Sequence, residues 1–333
     1  MKPSSHPLRT SLFAICTLIF ACSREVSKPS PALPVISDSV SMERACLVVS
    51  RYLAFGAPGA DTNSLGCFYR TLDSSANELV RSCSGRGAEP ATADSIIALV
   101  YKRWNIAFDA RDTVFETLLP HLVYKNRKGA CLGVSLIVLM LAEKLNCPLY
   151  GVMLPGHFFM RFDNGTRRFN LEPNKSGFTH PDSYYRERYP VAHRAWYDLG
   201  NLTKSQSIGM LCYNAGVLCL RHNTCNQAIS LFNEATRRIP ALAEARGNLA
   251  LAYVQAGLTD SSLSIFERLF ATDPDMPGLA ANYGAVALAA QRYCQSADVF
   301  RAGLRDYPGD STLMRGLSQA SANAGSCAPR KAR

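Results

Sequence analysis

The sequence lacks several features that would place it in a common functional class. It has no dense block of Lys and Arg with interleaved aromatic residues, so the formal net charge of +10 does not indicate a nucleic-acid partner. It has no CxxC pair, and no Cys/His pair has the spacing of a zinc site. We therefore expect no metal, no other cofactor and no nucleic acid, and we attribute the positive charge to a solvated surface.

The N-terminus has the pattern of an export signal. A basic start, with Lys2 and Arg9 and no acid in the first 21 residues, precedes the apolar run SLFAICTLIFA, which is too short to span a bilayer as a mature helix. The run ends in IFACS, which resembles the lipobox of bacterial lipoproteins. The resemblance implies that residues 1–21 are a signal peptide and that Cys22 carries the lipid. The alternative is an ordinary secretory peptide that is cut nearby.

Lipidation of Cys22 implies a place in the cell. Two or more acyl chains anchor a protein stably to a membrane where one does not. Ser23, rather than Asp, follows the cysteine, which by resemblance to sorting in enteric bacteria implies the outer membrane. We expect a protein of the bacterial cell envelope that contacts the membrane through its N-terminal lipid and faces the periplasm. Residues 22–40, rich in Pro and Ser and without a period, are expected to be a tether.

The cysteine content is compatible with export. Ten of the twelve cysteines remain after removal of Cys16 and lipidation of Cys22. A periplasm permits disulfides, but several pairings of ten cysteines are open from sequence alone. The chain ends in a short basic tail, 327–333.

The C-terminal third repeats with a period of 34 residues. Three sets of residues recur at that spacing: Gly216, Ala250 and Gly284; Phe232, Phe266 and Phe300; Pro240, Pro274 and Pro308. Small residues also stand twelve positions after the first set, at Ala228, Ser262 and Ser296. In such a unit the small residues let two helices approach closely, the aromatic fills the gap between neighbouring pairs, and the proline ends the second helix.

This periodicity is typical of tetratricopeptide repeats. It predicts three helix pairs, at 209–242, 243–276 and 277–310, which make an all-α solenoid over 209–310 that is followed by a capping helix at 311–326. Arrays of this kind bind extended peptides or partner proteins on their concave face, and they rarely catalyse. We therefore expect a peptide or protein partner on that face.

Helix and strand patterns follow each other between the tether and the repeats. In an N-terminal helical segment, 41–88, SMERACLVVSRYLAF predicts one helix, and the stretch after it is loop-rich. Helical apolar spacing follows in TADSIIALVYKRW and DTVFETLLPHLVYKNRKG. The segment CLGVSLIVLMLAEKLN predicts a helix that is buried on nearly all sides, and CPLYGVML predicts a strand.

A hairpin is predicted in HFFMRFDNGTRRFNLEP. Asn164-Gly165 is the preferred centre of a two-residue type I′ turn, and that register places His157 directly opposite Glu172. Side chains alternate along a strand. One face of the hairpin is therefore apolar, and the other carries His157, Phe159, Arg161, Arg168, Asn170 and Glu172. A carboxylate beside the imidazole would fix its tautomer and stabilise its charged form, as the third member of a catalytic triad does.

Cys131 is the candidate nucleophile. It opens the predicted buried helix, where unsatisfied N–H groups and the helix dipole favour a thiolate. Three cations precede it in the chain: Lys125, Arg127 and Lys128. A buried, inert thiol is the alternative, because cysteine is among the most often buried residue types. The imidazole and the carboxylate on the following hairpin favour the nucleophile.

Residues 92–189 resemble the transglutaminase-like/SirB1 group, which is part of the papain-like cysteine fold. The resemblance rests on RKGACLGVSL, LAEKLNCPLYGVMLPGHFFMRF and FNLEP. It implies an α+β fold class, with a papain-like/transglutaminase-like domain at 89–205 followed by the all-α tetratricopeptide solenoid. It also implies that Cys131 is the catalytic nucleophile, His157 its base and Glu172 the orienting acid, where transglutaminases usually have Asp. Many SirB1-type members lack the cysteine.

Two functions are open from the sequence. In the first, the chain is a cell-envelope enzyme whose thiol hydrolyses amides or peptides, or transfers the acyl group to an amine, on a protein or peptide substrate. In the second, it is a non-catalytic scaffold lipoprotein that binds partner proteins through its tetratricopeptide repeats. The complete set of triad residues favours the first, and the frequent loss of activity in the group favours the second.

Overall fold

The structure is a computed structural model that describes residues 32–55, 62–83, 87–111, 114–189 and 198–325. The expected signal peptide, the expected lipidation site Cys22, most of the expected tether and the basic tail lie outside these ranges. The described residues form two compact units that divide after Ala241. Together they are a mixed α+β structure, with two small sheets between residues 107 and 171 and a helix-rich C-terminal part. Within the described ranges, no helix combines the length and apolarity needed to cross a bilayer.

The first unit contains nine α-helices among its described residues. They are α1 Met42–Phe55, α2 Thr62–Cys83, α3 Pro90–Ile97, α4 Phe115–Leu118, α5 Pro120–Asn126, α6 Cys131–Lys144, α7 Asp182–Arg188, α8 Lys204–Arg221 and α9 Cys225–Arg238. Helix α1 confirms the prediction for its segment. The loop-rich reading of the stretch after α1 is wrong, because α2 is a helix of 22 residues. Its buried apolar residues recur every three or four positions, at Leu65, Phe68, Leu72 and Ala76.

Helix α3 continues as a π-helical segment, Ala98–Arg103. The Trp104 N–H donates to the Leu99 carbonyl, five residues back, at 2.8 Å. Wider turns of this kind are rare and often mark functional sites. This one carries Tyr101, which is buried.

The strands form two separate sheets. The smaller sheet pairs β1, Ala107–Phe108, with β2, Lys128–Gly129, in parallel. The larger is antiparallel in the order β3–β4–β5, with β3 at Leu149–Leu154, β4 at His157–Asp163 and β5 at Arg168–Leu171. The β3–β4 connection is a two-residue turn, Pro155-Gly156, where Gly156 takes the left-handed φ of +71° that favours glycine.

The predicted two-residue turn at Asn164-Gly165 is wrong. Asp163 pairs with Arg168, so residues 164–167 form a four-residue loop. The Asn164 Oδ1 accepts hydrogen bonds from the Thr166 and Arg167 backbone N–H groups at 3.0 and 2.7 Å, and these bonds hold the wider loop. The register is thus displaced by two residues. Because that displacement is even, the two faces of the hairpin keep their predicted residues.

Helix α6 is the centre of the first unit. Its residues 132–142 are all buried, and it packs against β3 and β4 on one side and α4 and α5 on another. This confirms the predicted helix that is buried on nearly all sides. Its first residue, Cys131, is half-buried and therefore stands at the edge of this core.

The second unit consists of helices α10 Ala243–Gln255, α11 Thr259–Thr272, α12 Leu279–Ala289, α13 Tyr293–Asp306 and α14 Ser311–Asn323. Helices α10 and α11 form one close pair, and α12 and α13 another. The two helices of the second pair approach so closely that a Cβ on Gly284 would lie 2.6 Å from the Phe300 ring. In the first unit, Gly216 of α8 approaches Phe232 of α9 in the same way, at 2.8 Å.

A short N-terminal segment, residues 36–38, is fastened to α9. Arg238, whose side chain is fully buried, donates from Nη2 to the Ile36 carbonyl at 2.8 Å. Arg237 binds the Asp38 carboxylate at 2.9 Å. Glu234 binds both guanidinium groups, that of Arg238 at 2.6 Å and that of Arg237 at 2.9 Å, so the buried charge of Arg238 has a direct partner.

Candidate active site

The backbone around Cys131 is fixed on three sides. Gly129, at the end of β2, pairs with Phe108. The Ala130 N–H donates to the Thr117 carbonyl at 3.0 Å. A Cβ on Gly133 would lie 2.1 Å from that same carbonyl oxygen, so glycine lets α4 and α6 meet here. The start of α6, and with it the thiol, is therefore held in place by backbone contacts.

His157 and Glu172 form a buried pair. Their side chains are 4% and 2% exposed, and Nε2 of His157 lies 2.9 Å from Oε2 of Glu172. The two residues are not directly opposite, as the predicted register had it. Glu172 lies beyond β5 and reaches His157 diagonally, which the even displacement of the register allows because both side chains stay on one face. The predicted contact exists although the predicted register does not.

A tight turn holds Glu172. Its side-chain Oε1 accepts a hydrogen bond from the Asn174 N–H at 3.2 Å, as an N-cap of the 3₁₀ turn Pro173–Lys175. Its backbone N–H donates to the Phe178 carbonyl, and its carbonyl accepts from Gly177, both at 2.9 Å. The Tyr101 hydroxyl donates to the Pro173 carbonyl at 3.1 Å. Oε1 of the Glu172 carboxylate thus binds the turn, and Oε2 binds the imidazole of His157.

The site favours a charged imidazole. Burial disfavours the imidazolium, but hydrogen bonds to Cys131 and Glu172 outweigh it and raise the pKa of His157 to about 9. Glu172 shows the matching effect: burial works against its charge, yet the hydrogen bond and charge of His157 hold the pKa of this carboxyl below its ordinary value. Because Nε2 is engaged by Glu172, Nδ1 is the nitrogen left to exchange a proton with the thiol.

Aromatic rings cover the imidazole. Tyr189 stacks on it with centroids 4.7 Å apart and planes 5° apart. Phe159 and Tyr185 lie roughly parallel to it at 6.0 and 6.1 Å. Such rings keep water away from the pair, and their faces favour a cation. Burial and the Glu172 carboxylate raise the pKa of the Tyr185 phenol, which therefore stays neutral.

A buried arginine fastens the helix that carries these tyrosines. Arg161 has a fully buried side chain that donates to Asn170 Oδ1 and Asp182 Oδ1, each at 2.7 Å, and to the Leu199 carbonyl. Asp182 is the first residue of α7, which carries Tyr185 and leads into Tyr189. The network thus holds the aromatic cover against the sheet.

The structure brings together Cys131, His157 and Glu172, which the sequence singled out. Sequence reasoning placed Arg161 on the same face as His157 but gave it no part in the site. It missed Tyr101, Tyr185 and Tyr189. A signal for Tyr185 and Tyr189 was present in the segment YYRERY. The two tyrosines are four residues apart, which places them on one face of a helix. Tyr101 gave none, because its position depends on a π-helical turn. Across the described ranges, no three His, Cys, Asp or Glu side chains are grouped to hold a metal ion.

Comparisons with known proteins match part of this region. Residues 68–193 match the transglutaminase-like superfamily and include all three candidate residues. A 73-residue stretch is 33% identical to the "UPF0162 protein" of Buchnera aphidicola subsp. Baizongia pistaciae, and covers 21% of this chain and 26% of that relative. The match thus spans about a quarter of the relative's length. The chain therefore contains a transglutaminase-like domain at 68–193, followed by a mostly helical region.

Proposed function

We propose that this protein is a cell-envelope lipoprotein whose transglutaminase-like domain breaks amide bonds, by hydrolysis or acyl transfer, on protein or peptide substrates. Cys131 is the nucleophile, His157 the acid–base residue and Glu172 the group that orients it. The observation that carries this proposal is the buried imidazole of His157, which interacts with the thiol on one side and with the carboxylate on the other.

The first half-reaction is acylation. The sulfur of Cys131, as a thiolate beside the imidazolium, attacks the amide carbonyl carbon, and the carbonyl electrons move to oxygen. The Cys131 N–H, which has no intrahelical partner in the first turn of α6, is placed to donate to that oxygen. His157 then gives its Nδ1 proton to the amide nitrogen. The C–N bond breaks, the amine leaves and a thioester forms.

The second half-reaction releases the acyl group. Neutral His157 takes a proton from water or from an acceptor amine, which attacks the thioester carbonyl. The thiolate leaves, and the products are an acid or a new amide. Glu172 accepts a hydrogen bond from Nε2 throughout, so the ring keeps the tautomer in which Nδ1 exchanges the proton.

Alkylation of the native protein by iodoacetamide across pH tests this proposal, with each cysteine followed by peptide mapping. We expect Cys131 to react at pH 6 about tenfold faster than Cys67, an exposed thiol in α2, because free cysteine is mostly protonated there. Cys131→Ser removes the label. His157→Ala moves the reaction to higher pH, and Glu172→Gln does so to a smaller extent. A Cys131 that reacts only on unfolding would rule out the enzyme.

The membrane location is a separate part of the proposal. It is supported by the basic start, the short apolar run and IFACS before Ser23. Cys22→Ala should abolish acylation and move the protein out of the membrane fraction. Membrane association that persists without any acyl label would contradict a lipid anchor at this position.

The 34-residue period favours a second function beside catalysis. We propose that α8 to α13 are three tetratricopeptide pairs whose concave face binds a peptide or protein partner. The close approach of Gly216 to Phe232 and of Gly284 to Phe300 supports this, as does Ser296, whose hydroxyl donates to the Gly284 carbonyl at 2.8 Å. If Cys131 proves inert, partner binding through these repeats is the function that remains.

A further inference from the structure

Two exposed phenylalanines flank the candidate triad. Phe108 and Phe178 are 39% and 60% exposed. Phe108 pairs with Gly129, two residues before Cys131, and Phe178 bridges to Glu172 itself. Among the phenylalanines whose side chains the structure describes, no other is this exposed. The backbone of Phe108 therefore pairs close to Cys131, and the backbone of Phe178 pairs with Glu172.

This coincidence points to a ligand. Single apolar side chains on a surface are ordinary. Two phenylalanines that both border one site, on separate segments of the chain, are the arrangement found where aromatic residues anchor a partner. The segments also lie near each other, because β1, which carries Phe108, contacts the turn Pro173–Lys175 just ahead of Phe178.

One of the two lysines in these segments is close to Phe178. Lys128 pairs with Ala107 in the small sheet, so its side chain lies on the opposite face of that sheet from the side chain of Phe108. Lys175 lies in the turn between Glu172 and Phe178, with Nζ 5.8 Å from the Tyr184 ring. The nearby carboxylate of Asp109 is already bound by Arg111, at 2.6 to 3.0 Å. The surface around Phe178 therefore presents positive charge next to an apolar ring.

We propose that Phe108, Phe178 and Lys175, here called the Phe–Lys rim, bind substrate peptides rich in acidic and large apolar residues. The apolar side chains lie on the rings and a carboxylate lies on Lys175, so the peptide backbone passes the Cys131 thiol. The inference rests on the proposed function, because it names the substrate class of the same site. A peptide fits better than a lipid surface, because the rim borders a thiol and imidazole suited to amides.

Fluorescence anisotropy with the full chain tests the rim. The probes are three fluorescein-labelled nonapeptides: Glu-Glu-Phe repeated three times, the same peptide with Lys for Glu, and the same with Ser for Phe. We expect the first to bind about tenfold more tightly than either other peptide, and to bind more weakly as salt rises. Phe178→Ser with Lys175→Ala should weaken it about tenfold, and Phe108→Ser alone less. Val80→Ser and Arg81→Ala, exposed changes in α2, are the matched controls and should leave binding unchanged.

The outcomes separate the two proposals. Equal binding of the three peptides, no binding, or unchanged binding in the Phe178/Lys175 double variant overturns the rim. Vesicles of equal phosphatidylcholine and phosphatidylglycerol form a further arm: if they bind through the rim and the acidic peptide does not, the surface is a membrane contact and the peptide proposal is wrong. Anisotropy needs no chemistry at the thiol. An inert Cys131 with selective peptide binding would therefore refute the enzyme and keep the rim, and a reactive Cys131 without selectivity would do the reverse.

Discussion

The candidate active site and the second unit are stabilised in different ways. Around the site, the buried charged side chains of His157, Arg161 and Glu172 are each held by specific partners. In the described part of the second unit, the buried polar side chains are two asparagines and two serines. Shape complementarity dominates there, through small residues set against phenylalanine rings.

The two kinds of contact restrict the sequence to different degrees. A packing contact is satisfied by any residue of the right volume, so it tolerates repetition and recurs every 34 residues. In a buried polar network each donor and acceptor must meet its partner, because a buried group left without one costs more free energy than a hydrogen bond contributes. The site region therefore has no period, and its geometry depends on contacts between distant parts of the chain.

The largest effect is expected in the second unit. Phe266 is fully buried in α11, so Phe266→Ala should lower the free energy of unfolding by about 3–5 kcal/mol. Urea unfolding of the full chain, followed by circular dichroism, measures this. Phe270→Ala on the same helix is the control, since Phe270 is only half-buried and should cost less. Equal losses for the two variants would break the claim that packing dominates this unit.

A pH effect below pH 9 is expected in the site region. The pKa of His157 is raised from 6.5 to about 9 in the folded protein, so its stabilising effect is complete below pH 6.5 and is lost as the pH rises to 9. The loss should be at most about 3 kcal/mol, since part of the raised pKa comes from the contact with Cys131. His157→Gln should make the free energy of unfolding less dependent on pH in this range. Phe266→Ala should lower that free energy by a similar amount at every pH. A wild-type profile that is flat between pH 6.5 and 9 would contradict the raised pKa.

Arg161 tests the polar network directly. Arg161→Lys keeps the charge but cannot reach Asn170, Asp182 and the Leu199 carbonyl together, so the free energy of unfolding should fall by about 2 kcal/mol. The figure is modest because Asp182 is 36% exposed and water replaces part of the lost contact. Arg168→Lys, at an exposed ion pair of 3.8 Å, should change stability by less than about 0.5 kcal/mol. Similar losses in both variants would show that the buried network is not specific.

The smallest effects should be the same in both regions. Thr203 caps α8 in a capping box with Gln206, and Asp310 caps α14 by accepting from the N–H groups of Thr312 and Leu313. Thr203→Ala and Asp310→Ala should each cost about 1 kcal/mol in urea unfolding. Caps depend on local sequence, so this pair shows where the two regions do not differ. A loss well above 2 kcal/mol at either residue would mean that it does more than cap its helix.

The parts of the structure that depend on local pattern were predictable. The helix of Cys131, the strands and the faces of the hairpin follow from the period of apolar residues. The turn was not, because the Asn164 side chain, rather than the Asn-Gly dipeptide, decides the loop. The His157–Glu172 contact survived that error, since a displacement by two residues keeps both on one face.

The support of the site was harder to foresee. Arg161 was placed on the correct face, yet its partners Asp182 and Leu199 are 21 and 38 residues away in the chain. Tyr101, which lies in a π-helical turn, binds Pro173, 72 residues away in the chain. Helix α2 was read as loop because its small and polar residues hide an apolar stripe whose partners lie in α5. Long-range contacts, which one sequence does not reveal, decide all three.

The fastening of residues 36–38 to α9 has a mechanical consequence. Asp38 and Arg237 are 199 positions apart, and their contact closes a loop that contains all three triad residues. A force that pulls on the chain ahead of Ile36 therefore acts on the contacts of Arg237 and Arg238 before it reaches α1. We expect these contacts to act as a strain relief: tension passes directly to α9, and the geometry of the candidate site inside the loop bears none of it until they break.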